Sequence, residues 1–250
     1  MKKKKIVKVI AKDEPVVFDE TPAKKFVKQM TGATVTGSER RGKYFWLKLD
    51  RKPWPIFHLG MTGSFEIYTA KTLPKVKPRS LRAEFEMSDG TYVWFKDPRK
   101  FGRVRVANDP LTEGAVSRLG YDPLYNFPTA KALFEILNAR KAPIKALLLD
   151  QSIFAGVGNW IADEVLFQSG LSPFRAARSL TMNDVKNLRS SILKIVKKAV
   201  SVSADSEKFP KSWLFHHRWG KGKNAMVAGH KIQFVTVGGR TSAWVPELQS

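Results

Sequence analysis

A glycine-rich turn at the start of a helical pattern is the first place in this sequence where residue type and spacing could do chemistry. In QSIFAGVGNWIADEV (151–165), Gly156 and Gly158 lead into an apolar-faced helix that begins near Asn159. Glycines here would let phosphate approach the unpaired N–H groups at the positive end of the helix dipole. The other interpretation is a tight corner between two packed helices. Local sequence supports both equally, and the surrounding charge favours the phosphate site.

The chain carries a large excess of positive charge. Its 250 residues include 44 Lys and Arg against 22 Asp and Glu, which gives a formal net charge of +22. So much unbalanced charge indicates a polyanionic partner, with nucleic acid as the first expectation and an anionic membrane surface as the second. No apolar run is long enough to span a bilayer, and no secretory signal is visible at the start.

The sequence offers little for binding metal. It contains no cysteine, which excludes disulfides, thiolate metal sites and cysteine nucleophiles. Three of the four histidines, His216, His217 and His230, are near each other in sequence. No clear carboxylate partner accompanies them, so we expect no metal site and no cofactor.

The first half of the chain is predicted to form strands. Residues 43–49 (KYFWLKL) predict a strand, and residues 56–68 predict a strand, a glycine turn and a second strand. Apolar and polar residues alternate over 81–87, the period of a half-buried strand. The tripeptide 88–90 (SDG) then turns the chain into another strand, TYVWF. Residues 69–79 are basic, contain two prolines and predict a loop.

Helical periodicity replaces the strands from about Thr129, which is suited to an N-cap. Pro143 opens a short helix that reaches Leu149, and the helix after Gly158 is expected to end at Gly170. The longest helix is predicted to begin near Thr181.

Strand patterns return after Pro210. KIQFVTV and TSAWV flank the tip Gly238-Gly239-Arg240 and predict a hairpin. A β domain and an α domain are therefore expected on either side of a linker near Leu111–Phe127. A cleft between them, lined by Lys and Arg, would suit a duplex.

Five blocks, in order along nearly the whole chain, carry a family resemblance: RRGKYFWLKL, HLGMTGS, KDPRKFG, KAPIKALLLDQSIFAGVGNWIADEVLFQSGLSP and GGRTSAWV. They resemble the formamidopyrimidine-DNA glycosylase/endonuclease VIII family. The resemblance implies a two-lobed α+β fold. It consists of a β-sandwich over 1–112, a linker over 113–128, a helical domain with a helix–two-turn–helix over 129–205, and a hairpin finger over 206–250. Many members bind zinc in the finger through four cysteines, so this chain resembles the zincless branch known from plants and fungi.

The resemblance gives roles to residues of the first half. The counterpart of Met61 enters the space that a flipped nucleotide vacates, while Arg99 and Phe101 hold the orphaned base and wedge the stack. Without the resemblance, core packing is the simpler interpretation of Met61 and Phe101. Arg82 stands where many relatives have a DNA-contacting histidine, so a cationic donor is kept there.

The resemblance also gives roles to residues of the second half. Lys141 and Lys145 become phosphate contacts together with Gly158 and Asn159 of the glycine turn. For any single lysine, a solvated face is the alternative.

Two further cations would act on the chemistry if the resemblance holds. Lys43 matches a catalytically important lysine, and Arg240 in GGRT matches the finger arginine associated with δ-elimination. Both would lie near phosphates, where they could stabilise departing oxyanions or donate protons. Taken alone, Arg240 is an exposed arginine at a hairpin tip.

The nucleophile of the family has no counterpart in this sequence. The family attacks the sugar C1′ with the amine of an N-terminal proline followed by glutamate, because an α-amino group titrates near about 7.7–8.0 and a lysine near about 10.4. This chain opens MKKKKIVKVI instead. Three interpretations remain: a longer natural protein, which we favour, a shortened version, or a paralogue that does not excise bases. Lys43 or the Met1 amine could supply weak lyase action.

The expected function is DNA base-excision repair in the nucleus. The resemblance implies a monomeric, bifunctional DNA glycosylase/AP lyase that acts on double-stranded DNA through a Schiff base. Its lesions would be formamidopyrimidine, 8-oxoguanine or further oxidation products, bound near a pocket loop around Asp205–Gly222. One alternative is a non-catalytic protein that binds damaged DNA. Another is a generic DNA or RNA binder that does not prefer damaged duplex.

Overall fold

The computed structural model describes residues 2–219 and 225–250. The chain divides into two compact units, one ending at Arg118 and the other spanning Leu119–Ser250. The predicted linker, residues 113–128, contains this boundary. Strands make up most of the first unit, and helices followed by short hairpins make up the second, so the predicted α+β class is confirmed.

Two antiparallel four-stranded sheets form the first unit. Its strands are β1 (Ile6–Ala11), β2 (Val35–Arg41), β3 (Tyr44–Leu49), β4 (Trp54–His58), β5 (Ser64–Thr69), β6 (Leu81–Met87), β7 (Thr91–Lys96) and β8 (Arg103–Ala107). One sheet has the order β1-β6-β7-β5 and the other the order β2-β3-β4-β8. Two helices belong to this unit, α1 (Ala23–Met30) and the short α2 (Gly114–Ser117).

Aromatic side chains pack between the two sheets. Phe57 of β4 contacts Phe85 of β6 and Phe95 of β7, with ring centroids 6.3 and 6.4 Å apart. All three rings are buried, and Phe26 and Met30 of α1 join the same core. Because the rings come from both sheets, the unit is a β-sandwich, and helix α1 packs against its core.

The predicted half-burial of β6 is wrong. Six of its seven residues are buried, although its apolar residues do alternate. The outward-facing Arg82 and Glu84 are covered because they form ion pairs with Glu14 and Lys77. Charged residues in a strand are usually exposed, and here tertiary ion pairs override that tendency.

The second unit contains four helices and two hairpins among its described residues. They are α3 (Ala130–Asn138), α4 (Ile144–Leu149), α5 (Asn159–Ser169), α6 (Met182–Ser201), β9 (Met226–Val227), β10 (His230–Lys231), β11 (Gln233–Val237) and β12 (Arg240–Trp244). The predicted helix ends are confirmed. Thr129 caps α3, Thr181 and Asp184 form a capping box on α6, and Gly170 ends α5 in the left-handed region.

A stripe of apolar residues attaches α6 to the other helices. Leu188, Ile192 and Ile195 are fully buried and belong to one core with Leu133 of α3 and Val165 of α5. Each fully buried side chain of this size stabilises the fold by about 1.5–3 kcal/mol. The periodicity read from the sequence therefore corresponds to the packed face of the helix.

The terminal hairpin has a two-residue turn. Val237 pairs with Arg240, so Gly238 and Gly239 alone form the loop, and both have positive φ. We call β11, this turn and β12 the finger hairpin. Its turn matches the glycine preference of tight hairpins, and the predicted hairpin is confirmed.

Residues 2–219 and 225–250 contain neither a membrane-spanning helix nor a cluster of metal-ligating side chains. None of their helices combines the length and apolarity needed to cross a membrane. Their His, Asp and Glu side chains form no group of three that could hold a metal ion.

Candidate nucleic-acid interface

Met61 and Phe101 are exposed on two loops of the first unit. Their exposed fractions are 67% and 44%, which is unusual for large apolar side chains. The alternative of core packing therefore does not apply to them. The Arg99 guanidinium lies 4.6 Å from the centroid of the Phe101 ring, so the structure brings this cation and this ring together.

A buried aspartate joins these two loops, which we call the wedge loops (residues 59–63 and 97–102). Asp97 is completely buried. Its carboxylate accepts hydrogen bonds from the Thr62 hydroxyl at 2.8 Å and from the backbone N–H groups of Arg99 and Gly102 at 3.3 and 2.7 Å. Our sequence reading missed Asp97. The available signal was an aspartate two residues before Arg99, the spacing of an Asx-turn.

Arg82 is turned away from solvent, with a side chain only 5% exposed. Its guanidinium donates to Glu14 at 3.0 Å, to the carbonyl of Asp97 at 2.9 Å and to the carbonyl of Arg79 at 3.3 Å. These bonds support the start of a wedge loop. A DNA contact by Arg82 stays a prediction, and it would require this buried arrangement to open.

Lys43 lies beside the strand that leads into Met61. It is exposed and lines a shallow pocket with Tyr44, His58 and Gly60. Burial lowers the pKa of His58, and the positive charge of Lys43 lowers it further. The imidazole is therefore neutral at pH 7, and its Nδ1 accepts the N–H of Gly60 at 3.1 Å. Lys43 thus borders the first wedge loop.

In the second unit, the glycine turn is both a corner and an uncapped helix start. Gly156 has a φ of +91°, Gly158 is the N-cap of α5, and no side chain caps that helix. Gln151 holds the turn: it donates to the Val157 carbonyl at 2.8 Å and accepts from the Gly156 N–H at 3.0 Å. The N–H groups of the first helical turn have no capping side chain, as an anion site requires. Our sequence reading missed Gln151.

The two lysines before this turn differ in exposure. Lys141 is exposed, whereas Lys145 is completely buried. The Lys145 ammonium binds the Asp163 carboxylate and donates to the Asn159 carbonyl at 3.1 Å. Burial lowers the pKa of Lys145, and the nearby Asp163 opposes that shift. A phosphate contact by Lys145 stays a prediction, and its ammonium is already engaged inside the protein.

Asp163 also connects two further segments of the second unit. Its side chain is 1% exposed, and one carboxylate oxygen accepts from both Nε and a terminal nitrogen of Arg218, at 3.1 and 2.5 Å. The same oxygen accepts the N–H of Ala243 in β12 at 3.2 Å. This residue was also missed in the sequence, where an acidic pair within an apolar-faced helix was the only signal.

Asn159 contacts strand β12, and Arg240 is the first residue of that strand. The Asn159 amide donates to the carbonyl of Thr241 at 2.8 Å, next to Arg240, which is exposed at the start of β12. The structure therefore brings the glycine turn close to the strand that carries Arg240. The roles of both residues in DNA binding stay predictions.

Glu164, next to Asp163, is a buried carboxyl, and no cation among residues 2–219 and 225–250 lies in hydrogen-bonding contact with it. It accepts from the Gln168 amide at 2.7 Å and from the Phe215 N–H at 2.9 Å. Burial raises its pKa to about 7, and these two hydrogen bonds only partly oppose that effect. Glu164 therefore keeps its proton to a higher pH than an ordinary glutamate does.

The predicted pocket loop is partly described. Residues 205–219 contain two short 3-10 turns, Ser206–Lys208 and Leu214–His216. Trp219 is 60% exposed, and the Arg218 guanidinium lies 4.6 Å from its ring centroid. Residues 220–222 of the predicted loop, and the Met1 amine, lie outside the described residues.

Comparison with known proteins gives one consistent family. Three family models match: the formamidopyrimidine-DNA glycosylase N-terminal domain over residues 1–104, its H2TH domain over 119–211, and the formamidopyrimidine-DNA glycosylase-like C-terminal domain over 213–246. The formamidopyrimidine-DNA glycosylase of Arabidopsis thaliana is 40% identical over 98% of this chain. The chain spans 66% of that protein's length. The enzyme of Pelobacter propionicus is 30% identical, with 88% of this chain and 83% of that protein aligned.

Solved structures of a bacterial relative have the same fold. Lactococcus lactis formamidopyrimidine-DNA glycosylase bound to DNA with an AP site superposes with a TM-score of 0.83 and 26% identity, covering 99% of this chain and 92% of that one. The same enzyme with DNA containing FAPY-dG gives a TM-score of 0.84 and 27% identity, covering 99% and 93%.

Proposed function

Because the chain belongs to the formamidopyrimidine-DNA glycosylase family, we propose that it acts in base-excision repair on damaged double-stranded DNA. The observation that carries the proposal is the pair of wedge loops. Met61 and Phe101 expose apolar side chains, and Arg99 lies against the Phe101 ring. An apolar wedge offsets the stacking lost when a base leaves the helix, and a cation beside it can hold the remaining base.

The rest of the interface would bind the DNA backbone. The uncapped start of α5, the exposed Lys141 and the exposed Arg240 all present positive charge or N–H donors in the second unit. Such groups bind phosphate without reading sequence, which suits a protein that recognises damage. The net charge of +22 adds long-range attraction to DNA.

The proposed chemistry is that of a bifunctional DNA glycosylase/AP lyase. A neutral amine would form a bond to C1′ while the C1′–base bond breaks and the base leaves with that electron pair and a proton. The nitrogen lone pair would then break the C1′–O4′ bond, with a proton taken up at O4′, and leave a Schiff base at C1′. Loss of a proton from C2′ would expel the 3′-phosphate by β-elimination, and loss of a proton from C4′ would expel the 5′-phosphate by δ-elimination. Lys43 and Arg240 would stabilise the departing phosphates as cations. Nuclear localisation stays a prediction.

Binding is tested first, with duplexes that differ only in one abasic site. We expect this chain to bind the abasic duplex at least about tenfold more tightly than the intact duplex. Met61→Ala and Phe101→Ala should reduce that preference. Ile67→Ala is the matched control, because Ile67 is also 67% exposed in the same unit but lies on β5 outside the wedge loops. Equal binding to the two duplexes would contradict the proposal and leave a generic nucleic-acid binder.

Lyase chemistry is tested by borohydride trapping on the abasic duplex. We compare the chain as printed, a version extended to begin with Pro-Glu, and Lys43→Ala. Trapping of the extended version alone would assign the nucleophile to an N-terminal proline. Trapping of the printed chain, lost in Lys43→Ala, would assign it to Lys43. If both versions bind damaged DNA and neither is trapped, the lyase proposal fails and a non-catalytic reader of damage is left.

A further inference from the structure

Two side chains of helix α5 bind the free edge of strand β12. Asn159 donates to the Thr241 carbonyl at 2.8 Å, and Asp163 accepts from the Ala243 N–H at 3.2 Å. In an antiparallel pair, alternate residues direct their N–H and C=O away from the partner strand, and Thr241 and Ala243 are two such residues. Asn159 and Asp163 are four apart, so they lie on one face of α5 with the donor and acceptor that this edge requires.

This pairing specifies the register of the finger hairpin. A slip of β12 by one residue would direct its backbone groups toward β11 and remove both bonds to α5. The turn is seated as well, because a Cβ on Gly238 would lie 3.0 Å from the Cα of Ala146 in α4. Arg240 lies between the Gly238-Gly239 turn, which contacts α4, and the residues of β12 that bond to α5. Its backbone is therefore fixed on both sides.

The carboxylate of Asp163 is compensated by cations from two other segments. Lys145 comes from α4 and Arg218 from the segment that precedes the finger hairpin, and their side chains are 0% and 7% exposed. A buried carboxylate without such partners would be strongly unfavourable. Asp163, with its partners Lys145, Arg218 and the N–H of Ala243, therefore joins α4, α5, the segment around Arg218 and β12.

We propose that Asp163 is the positioning residue for Arg240: it sets the register of β12 on α5 and thereby places the Arg240 guanidinium at the DNA backbone. This inference rests on the proposed function, because it assumes that Arg240 contacts DNA. It assigns to Asp163 a role beyond charge compensation, and the two roles differ in their consequences for binding.

The test is a double-mutant cycle measured as binding to the abasic duplex by fluorescence anisotropy. Arg240→Ala should weaken binding by about tenfold and lower the slope of log Kd against log salt by about 0.9. Asp163→Asn should do the same, although removing a negative charge would by itself strengthen binding to DNA. The double variant should bind no more than about twofold more weakly than Arg240→Ala. Arg99→Ala in the first unit is the control, and its effect should add to that of Asp163→Asn.

A second variant keeps the test decisive if Asp163→Asn does not fold. Asp163→Glu keeps the charge between Lys145 and Arg218 but is longer by one methylene, so it should fold and displace the contact to Ala243. We expect Arg240→Ala to weaken binding by less than about twofold in this background. A full tenfold effect of Arg240→Ala in either Asp163 background would overturn the proposal. Failure of the parent chain to prefer the abasic duplex would instead contradict the proposed function.

Discussion

Asp97 in the first unit and Asp163 in the second are both buried carboxylates that hold predicted DNA-binding segments, but they are compensated in different ways. Asp97 accepts one hydroxyl and two backbone N–H groups, all neutral and all from the wedge loops. Asp163 accepts from two cations and one N–H, supplied by segments 18, 55 and 80 residues away in sequence. The first arrangement shapes two tight loops, and the second joins distant elements.

The difference in compensation predicts a difference in what removal costs. A carboxylate bound by dipoles leaves neutral donors behind, some of which can reach water at the surface. Removal of a carboxylate that is bound by cations leaves those buried cations behind, and they cannot reach water. The stability of the second unit should therefore depend on Asp163 more than that of the first depends on Asp97.

The largest effect is expected for Asp163→Ala. Lys145 and Arg218, at 0% and 7% exposure, would lose the carboxylate that compensates their charge. We expect the free energy of unfolding to fall by about 3–5 kcal/mol, measured by urea denaturation. Asp109→Ala is a control, because Asp109 accepts a local N–H from Leu111 in an exposed loop. A loss below 1 kcal/mol for Asp163→Ala, on the order of a single surface hydrogen bond, would remove the contrast between the two aspartates.

The next effect concerns Glu164, a neighbouring carboxyl to which no cation of the described part of the chain is hydrogen-bonded. Burial raises the pKa of Glu164 to about 7, above its ordinary 4.5. Between these values the folded protein holds a proton that the unfolded chain has released, so stability falls as pH rises from about 4.5 to about 7 and stays low above that. Glu164→Gln should remove this loss. At pH 8 the free energy of unfolding of the variant should exceed that of the parent by about 3 kcal/mol.

The control for Glu164→Gln is the same comparison at pH 4.5, where both proteins carry a neutral side chain and should unfold at similar urea concentrations. An equal difference between parent and variant at the two pH values would mean that Glu164 does not titrate with the raised pKa.

Asp97→Ala is expected to have a smaller effect on stability and a larger one on recognition. The freed N–H groups of Arg99 and Gly102 and the Thr62 hydroxyl should cost about 1–3 kcal/mol in total, because part of the loop can reach water. Loosened wedge loops should reduce the preference for an abasic over an intact duplex while binding to intact duplex changes little. A loss of stability equal to that of Asp163→Ala would contradict the contrast.

The sequence was sufficient for elements whose signals are local. Thr129 caps α3 as predicted, α6 begins next to Thr181 as predicted, and residues 88–90 turn β6 into β7. Helix α1 was not predicted, because AKKFVKQM is only eight residues long and follows Pro22 without a capping side chain, although its apolar residues do recur at helical spacing. The burial of β6 depends on ion pairs across the fold, which no strand period can indicate.

The candidate site shows the same limit. Met61 could be placed in a turn from the glycines on either side of it, whereas the exposure of Phe101 followed only from the family resemblance. The roles of Asp97 and Asp163 could not be predicted, because a carboxylate is defined by its partners. The partners of Asp163 come from helix α4, the segment around Arg218 and strand β12. Arg82 and Lys145 illustrate the reverse case, since both are basic residues that were predicted to contact DNA and whose charges are bound internally.

The smallest predicted effect concerns the seat of the finger hairpin and compares two adjacent glycines. Gly238 and Gly239 have φ values of +62° and +72°, so alanine is strained by a similar amount at either position, about 1–2 kcal/mol. They differ in surroundings: a Cβ on Gly238 would meet Ala146 at 3.0–3.2 Å, whereas a Cβ on Gly239 would meet nothing within 4 Å. Gly238→Ala should therefore be less stable than Gly239→Ala by about 1 kcal/mol, as measured by urea denaturation. It should also weaken binding to the abasic duplex more, because displacing the turn from α4 moves Arg240. Equal effects at the two positions would mean that the turn is not seated on α4, and the register of β12 would then depend on Asn159 and Asp163 alone.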